Sequence, residues 1–269
     1  MRVRTDASLF DHANRPVRLA NAHRDGYLFV VGGGPSLLDV PKDVLSQRGV
    51  VTLGLNNSPA TVKPTLWISM DPASKFLEST WRDSTIQKFV PYFRRNETTR
   101  RRDASGQLVN DRHVHQHPNV LYYKQSQGDF DPKTFLSSST FHWGCANGQR
   151  DPDGTTGVRS VMLPAIKLAY YLGFSTVFFV GCDFRMTEQK PYSFDQTASA
   201  DRVRSNNGLY RVMTRRIELL RPVLADAGMR LINTTPNSRL GSVLENWSLA
   251  RALDVATRAV RSTDTRGMY

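Results

Sequence analysis

The stretch Gly154–Phe184, GTTGVRSVMLPAIKLAYYLGFSTVFFVGCDF, constrains the fold more than any other part of the chain. A Gly/Thr-rich turn leads into an apolar helix over residues 158–171, and Gly173 stops it. Pro164 lies inside that helix and is expected to kink it or to begin a new one. Thr176–Val180 then reads as a buried strand, with Asp183 just past its carboxyl end. A second unit, YLFVVGGGPSLLDV from Tyr27 to Val40, follows the same logic in strand-then-helix order. Such units predict an α/β fold with a mostly parallel sheet, which binds ligands at the carboxyl ends of its strands. Both units carry polar groups there, so the first expectation is a nucleotide-handling enzyme.

Further strands are expected at residues 50–55, 65–70, 120–123 and 230–233, and helices at 74–81, 210–227 and 242–261. Residues 1–25 are polar and read as a loosely held arm ahead of one Rossmann-like domain over 26–269. Two polar segments do not fit the sheet. Residues 94–118 form a basic, His-rich insertion, and 185–208 read as a polar lid. No internal repeat is visible.

Formal charge is +12, from 36 Lys and Arg against 24 Asp and Glu. Such a field attracts polyanions: nucleic acid first, then an anionic membrane surface or a sugar nucleotide. No apolar run is long enough to span a bilayer and the N-terminus lacks an apolar signal core, so a cytoplasmic protein is expected. Cys145 and Cys182 are far apart and lack metal spacing, which suits free thiols.

Gly32, Gly33, Gly34, Pro35 and Ser36 follow a strand and precede a helical stretch. Glycines let backbone approach a phosphate, and a helix start offers free N–H groups; a tight strand-to-helix turn would use the same residues. Asn56 and Asn57, past the second strand, suit a nucleobase edge or sugar hydroxyl, or an Asx-turn. Asp71, past the third, suits a general base or a helix cap. Asp183 suits a ribose contact or an orienting role. With no DxD pair, no metal is expected. His113, His115 and His117 alternate, and on a strand would share one face; solvated histidines are the plainer expectation. His142 is a lone candidate base or a packed structural histidine. Arg94, Arg95, Arg100, Arg101 and Arg102, beside Tyr92 and Phe93, suit phosphate contact and base stacking. Arg215, Arg216 and Arg221 read as the wet face of a helix.

The order GGGPSLLDV, LNNSP, TTGVRSVMLPAIKLAYYLGFSTVFFVGCDF and PYSF, over roughly residues 27–240, resembles the glycosyltransferase family 42 sialyltransferases and the related motility-associated-factor proteins that glycosylate flagellin. The resemblance implies a Rossmann-like fold of GT-A variant type with a small lid and no metal. It implies that Gly32, Gly33, Gly34 and Ser36 line the nucleotide-sugar site, for a UDP- or CMP-sugar, and that Asn56 contacts the nucleotide or its phosphate. Thr155, Thr156 and Gly157 would sit under the donor, and Tyr192 would stabilise the leaving phosphate. The family's general-base His is replaced here by SNNGLY, with Asn206 or Asn207 in its place. An amide cannot accept the proton, so the base is expected at Asp71 or Asp195. The chain also resembles short, basic proteins of phage type, and viruses that carry hydroxymethylated pyrimidines decorate them with sugars.

The leading expectation is therefore metal-independent transfer of a sugar from a nucleotide sugar to a hydroxyl of modified DNA, in the cytoplasm, which is a host's if the protein is viral. Alternatives are the same chemistry on a surface glycan or protein, and a non-catalytic DNA-binding protein on a transferase scaffold.

Overall fold

The computed structural model describes residues 9–41, 43–145 and 157–261. In chain order the strands are β1 (Leu9–Phe10), β2 (Pro16–Val17), β3 (Tyr27–Val31), β4 (Val51–Leu55), β5 (Leu66–Ile68), β6 (Gln87–Pro91), β7 (Thr98–Arg102), β8 (Leu108–His113), β9 (Val120–Tyr123), β10 (Gln125–Ser126), β11 (Phe141–His142), β12 (Thr176–Val180), β13 (Arg230–Asn233) and β14 (Glu245–Asn246). The helices are α1 (Glu78–Arg82), α2 (Met162–Leu172), α3 (Ala200–Asp226) and α4 (Leu249–Arg261).

Ten strands make one sheet in the order β14-β13-β12-β3-β4-β5-β6-β9-β1-β2. All pairs from β14 to β9 are parallel, and β1 and β2 join antiparallel at one edge. The architecture is α/β with a large, mostly parallel central sheet, compatible with a Rossmann-like fold. Strands β3 and β12 are apolar apart from Thr176 at the start of β12, because both faces are covered. Leu28 and Val30 of β3 pack with α2 and α3, whereas Phe29 and Val31 pack with Leu37 and α4. Alternation along one strand thus serves two helical layers. No helix among the described residues is long and apolar enough to cross a membrane.

All eleven residues of α2 are buried, which explains its lack of a polar face. Pro164 sits in its first turn, where its missing N–H leaves no gap, so α2 begins there instead of kinking. Gly173, at φ 98°, ends it.

The arm expected to be loose is tied down wherever it is described. Leu9 pairs with Tyr123 and is fully buried. Further on, the N–H groups of Asn21, His23 and Asp25 donate to the carbonyls of Tyr171, Leu172 and Gly173 at 3.0, 2.8 and 3.0 Å. These are carbonyls that the end of α2 would otherwise leave open.

The late helix begins at Ala200, ten residues before its expected start, and so takes up the second part of the expected lid. The expected C-terminal helix starts only at Leu249, because a 3-10 turn at Arg239–Ser242 and β14 precede it. The expected helix at 74–81 is a 3-10 turn, Ala73–Lys75, followed by α1. The basic insertion holds a two-stranded antiparallel ribbon, β7–β8. Strand β6 was not legible in the sequence: it contains Lys88, buried because its ammonium donates to the carbonyls of Asp83, Ile86 and Pro118.

Candidate ligand cleft at the switch point

From β3 the chain runs outward through β4, β5, β6 and β9, then returns to β12 on the other side of β3 and runs outward again to β13 and β14. The reversal between β3 and β12 is the position where open α/β sheets leave a crevice. Gly32, Gly33 and Gly34 follow β3 there, and Gly181, Cys182 and Asp183 follow β12.

A cleft of about 810 Å³ opens at this point. Among the expected site residues, Gly32, Gly33, Gly34, Asn56, Asn57, Asp71, Gly157, Asp183, Tyr192 and Arg94 line it. Thr155 and Thr156 lie outside the described residues. Asp195 is exposed and is not part of the lining. Among the described residues five cationic ones line the cleft, Lys75, Arg94, Arg159, Arg185 and Arg202, against the carboxylates Asp71 and Asp183. All but Arg94 went unread in the sequence, because single basic residues in separate segments carry no pattern.

The glycine turn differs from an open phosphate cradle. Gly32 N–H donates to the Val180 carbonyl and Gly34 N–H to that of Gly181, both at 2.8 Å. Ser36 donates its hydroxyl to Asp183 Oδ2 at 2.7 Å and its N–H to the same oxygen at 3.4 Å. A Cβ on Gly32 would lie 2.5 Å from the Gly181 carbonyl oxygen, one on Gly33 2.7 Å from the Phe194 ring, and one on Gly34 would overlap Asp183. The protein's own packing therefore demands these glycines. Pro35–Asp39 is only a 3-10 turn. Of the turn's amides, Gly33 N–H is the one left for a ligand.

Asp183 is 6% exposed, and burial raises its carboxyl above the usual carboxylate range against the lowering effect of Ser36. Ser36 itself faces a second cavity of about 660 Å³ that shares Asp183 and Arg185 with the first cleft's lining. Three of the polar side chains there are spent internally. Asn233 Nδ2 donates to Thr235 O and Asn246 Oδ1, and the hydroxyls of Thr234 and Thr235 donate to Phe179 O.

Asn56 holds a left-handed backbone at φ 47°, with its N–H on Ile68 O and its carbonyl accepting from Trp67 Nε1. Its Oδ1 is buried without a hydrogen-bond partner. An orphaned buried acceptor on an unusual backbone marks a functional candidate. Asp71 is about half exposed, with Lys75 Nζ 3.5 Å away. The segment after β12 closes one side. Ser193 N–H donates to Gly33 O at 3.0 Å, Tyr192 stacks on Phe194, and Asn207 bonds both the N–H and the carbonyl of Met186. Asn207 is thus a staple, whereas Asn206 lines the cleft and donates to the Tyr192 hydroxyl at 3.4 Å. A phenol that accepts one bond still has its own O–H to donate.

The histidines lie elsewhere. His142 is away from the lining, bonded to Gly128 O, and burial lowers its pKa. His113 ends β8 and His115 stacks on it, but His117 is buried against Thr99, so the three do not share a face. Among the described residues no group of three or more His, Cys, Asp or Glu is arranged to hold a metal ion. Cys145 and Cys182 are buried and form no disulfide.

The arginine cluster divides. Arg94 is mostly buried, donating Nε to Met70 O at 2.7 Å and pairing with Glu97. Arg95 lies on the Tyr92 ring, and Arg101 faces Asp111 at 3.8 Å. Arg100 and Arg102 are exposed on β7. Arg216, read as part of a wet helix face, is buried over the Phe130 ring. Compared with protein-family models, curated proteins and solved structures, the chain matches none.

Proposed function

We propose that the protein is a metal-independent glycosyltransferase of the GT-A variant type, moving a sugar from a nucleotide-sugar donor to a hydroxyl of hydroxymethylpyrimidine DNA. The observation that carries this reading is the meeting of Asn56, Asp71, Asp183 and Tyr192 in one cation-lined cleft at the switch point of the sheet. A cleft with more cationic than acidic groups suits a ligand phosphate. Asp71 takes the proton from the acceptor hydroxyl as that oxygen bonds to the anomeric carbon. The bond from that carbon to the phosphate oxygen breaks, and its electron pair leaves with the nucleotide. The Tyr192 hydroxyl, Gly33 N–H and neighbouring arginines steady the charge that develops there, the kind of electrostatic effect that usually dominates catalysis. The net charge of +12 supports a polyanionic acceptor.

The test is mass spectrometry of nucleosides from hydroxymethylated DNA incubated with the protein and a pool of nucleotide sugars. A new nucleoside heavier by one sugar is expected. Its absence, with nucleotide-sugar hydrolysis intact, removes the DNA acceptor; absence of hydrolysis as well removes the transferase.

A further inference from the structure

The ribbon β7–β8 stands apart from the central sheet and has two unlike faces. Side chains alternate between the faces of a strand. The inner face holds buried Thr99, whose hydroxyl meets His117 at 2.9 Å, and Asp111, which pairs with Arg82 and Arg101. The outer face carries Arg100, Arg102, Leu108 and Asn110, and Arg112 follows at a shift in the strand register, all five exposed. Register places Arg100 opposite Asn110 and Arg102 opposite Leu108. Among the described residues no carboxylate lies within ion-pair distance of these three guanidinium groups, although Arg102 donates to Gly106 O at 2.7 Å and Arg112 acts on Asp111 through its charge. Leu108 is 58% exposed, an apolar side chain left open opposite Arg102 at the turn end of the ribbon.

The ribbon is also tied at both ends by hydrogen bonds within the protein. Asp103 Oδ1 accepts from Ser105 N, Ser105 Oγ and Gln107 N, which fixes the turn between the strands. At its foot, Glu97 accepts from Ala73 N at 2.8 Å and pairs with Arg94, a residue of the cleft lining. The ribbon is therefore anchored to the wall of the cleft. Preorganisation of this kind lowers the ordering cost of binding.

We infer that the outer face of this ribbon docks in the major groove of duplex DNA. The inference rests on the DNA acceptor proposed above and names the surface that would hold it. The major groove admits a two-stranded ribbon, and the residue types on this face match what the groove presents. Arginine suits phosphates and guanine edges, asparagine suits adenine, and an aliphatic side chain suits the thymine methyl. Arg94, Arg95 and Arg101, by contrast, hold the ribbon and its foot in place.

The test is fluorescence anisotropy with a labelled 30-base-pair duplex and its single strand, without any nucleotide sugar. The triple variant R100Q/R102Q/R112Q is compared with R15Q/R215Q/R258Q, which removes the same charge from exposed arginines elsewhere. The ribbon variant is expected to bind duplex at least about tenfold more weakly with a shallower salt dependence, and the control less than about threefold more weakly. Asn110→Ala is expected to reduce discrimination between duplex sequences. Equal weakening by both triple variants, a preference for the single strand, or unchanged discrimination in Asn110→Ala overturns the inference. Duplex binding through the ribbon without sugar transfer refutes only the proposed activity. Sugar transfer to DNA with full duplex affinity in the ribbon variant refutes only the docking surface.

Discussion

The Ser36 hydroxyl donates to Asp183 Oδ2 at 2.7 Å and so ties the turn after β3 to the turn after β12 across the switch point. Ser36→Ala leaves a buried carboxylate short of a donor, at an expected cost of about 1.5–3 kcal/mol at pH 7. Burial raises the Asp183 carboxyl, so its neutral form suits the fold. Its contribution to stability is full below the usual carboxylate range and is lost as pH rises through the folded value. The cost of Ser36→Ala should therefore shrink in acid, as urea titrations at several pH values will show.

Gly34→Ala and Gly106→Ala separate packing from backbone freedom. A Cβ at Gly34 would overlap Asp183, whereas one at Gly106 meets nothing, although its φ is 82°. Gly34→Ala is expected to cost about 1–3 kcal/mol through overpacking and to distort the cleft. Gly106→Ala is expected to cost roughly 1 kcal/mol through backbone strain alone. Thermal melting and nucleotide-sugar titration distinguish them.

Lys167 is buried within α2, and its ammonium donates to Phe135, Ser138 and Thr140 carbonyls at 2.9, 2.6 and 2.8 Å. It holds the 135–140 turn against the helix. Lys167→Met keeps the apolar stem but strips three carbonyls of their donor, an expected loss of about 3 kcal/mol or more. Lowered thermal stability with faster proteolysis near residues 135–140 is the expected result.

Burial pushes His117 down to about 4 from the ordinary 6.5. The unfolded chain then binds the proton more readily than the folded one between those values. Stability should fall as pH drops from about 6.5 to about 4, by up to about 3 kcal/mol from this group. His117→Gln should flatten that part of the stability profile, as measured by denaturant midpoints.

Asp71→Asn is expected to lower turnover by about 10²–10⁴-fold while nucleotide-sugar affinity stays near that of the wild type. Tyr192→Phe should lower kcat by about 10²-fold if, as proposed, the Tyr192 hydroxyl donates to the leaving group. Full activity in Asp71→Asn would remove that carboxylate from the mechanism.

Strand β12 was legible because four apolar residues in a row, Val177–Val180, between Gly173 and Gly181 fit a strand covered on both faces. Strand β6 was not, because Lys88 reads as polar until Asp83, Ile86 and Pro118 supply its acceptors. The N-terminal half of α3 was hidden for a related reason. Its residues 200–209 are mostly polar, and without an apolar period they looked like loop. Asp71, Asp183, Asn56 and Tyr192 were each visible as polar residues in their segments, but their meeting in one cleft was not a property of any segment.

By itself the sequence determined where chain segments are apolar on one side or both, where Gly173 must stop a helix, and the overall positive charge. Those are local properties, written in period and composition. Only the tertiary structure decided that the carboxyl ends of β3 and β12 adjoin, and that Gly32 and Gly34 spend their N–H groups on the neighbouring turn. It also decided which arginines are buried as staples and which stand exposed on the ribbon. Strand order and hydrogen-bond partners are set by contacts between residues far apart in the chain, and no local pattern encodes them.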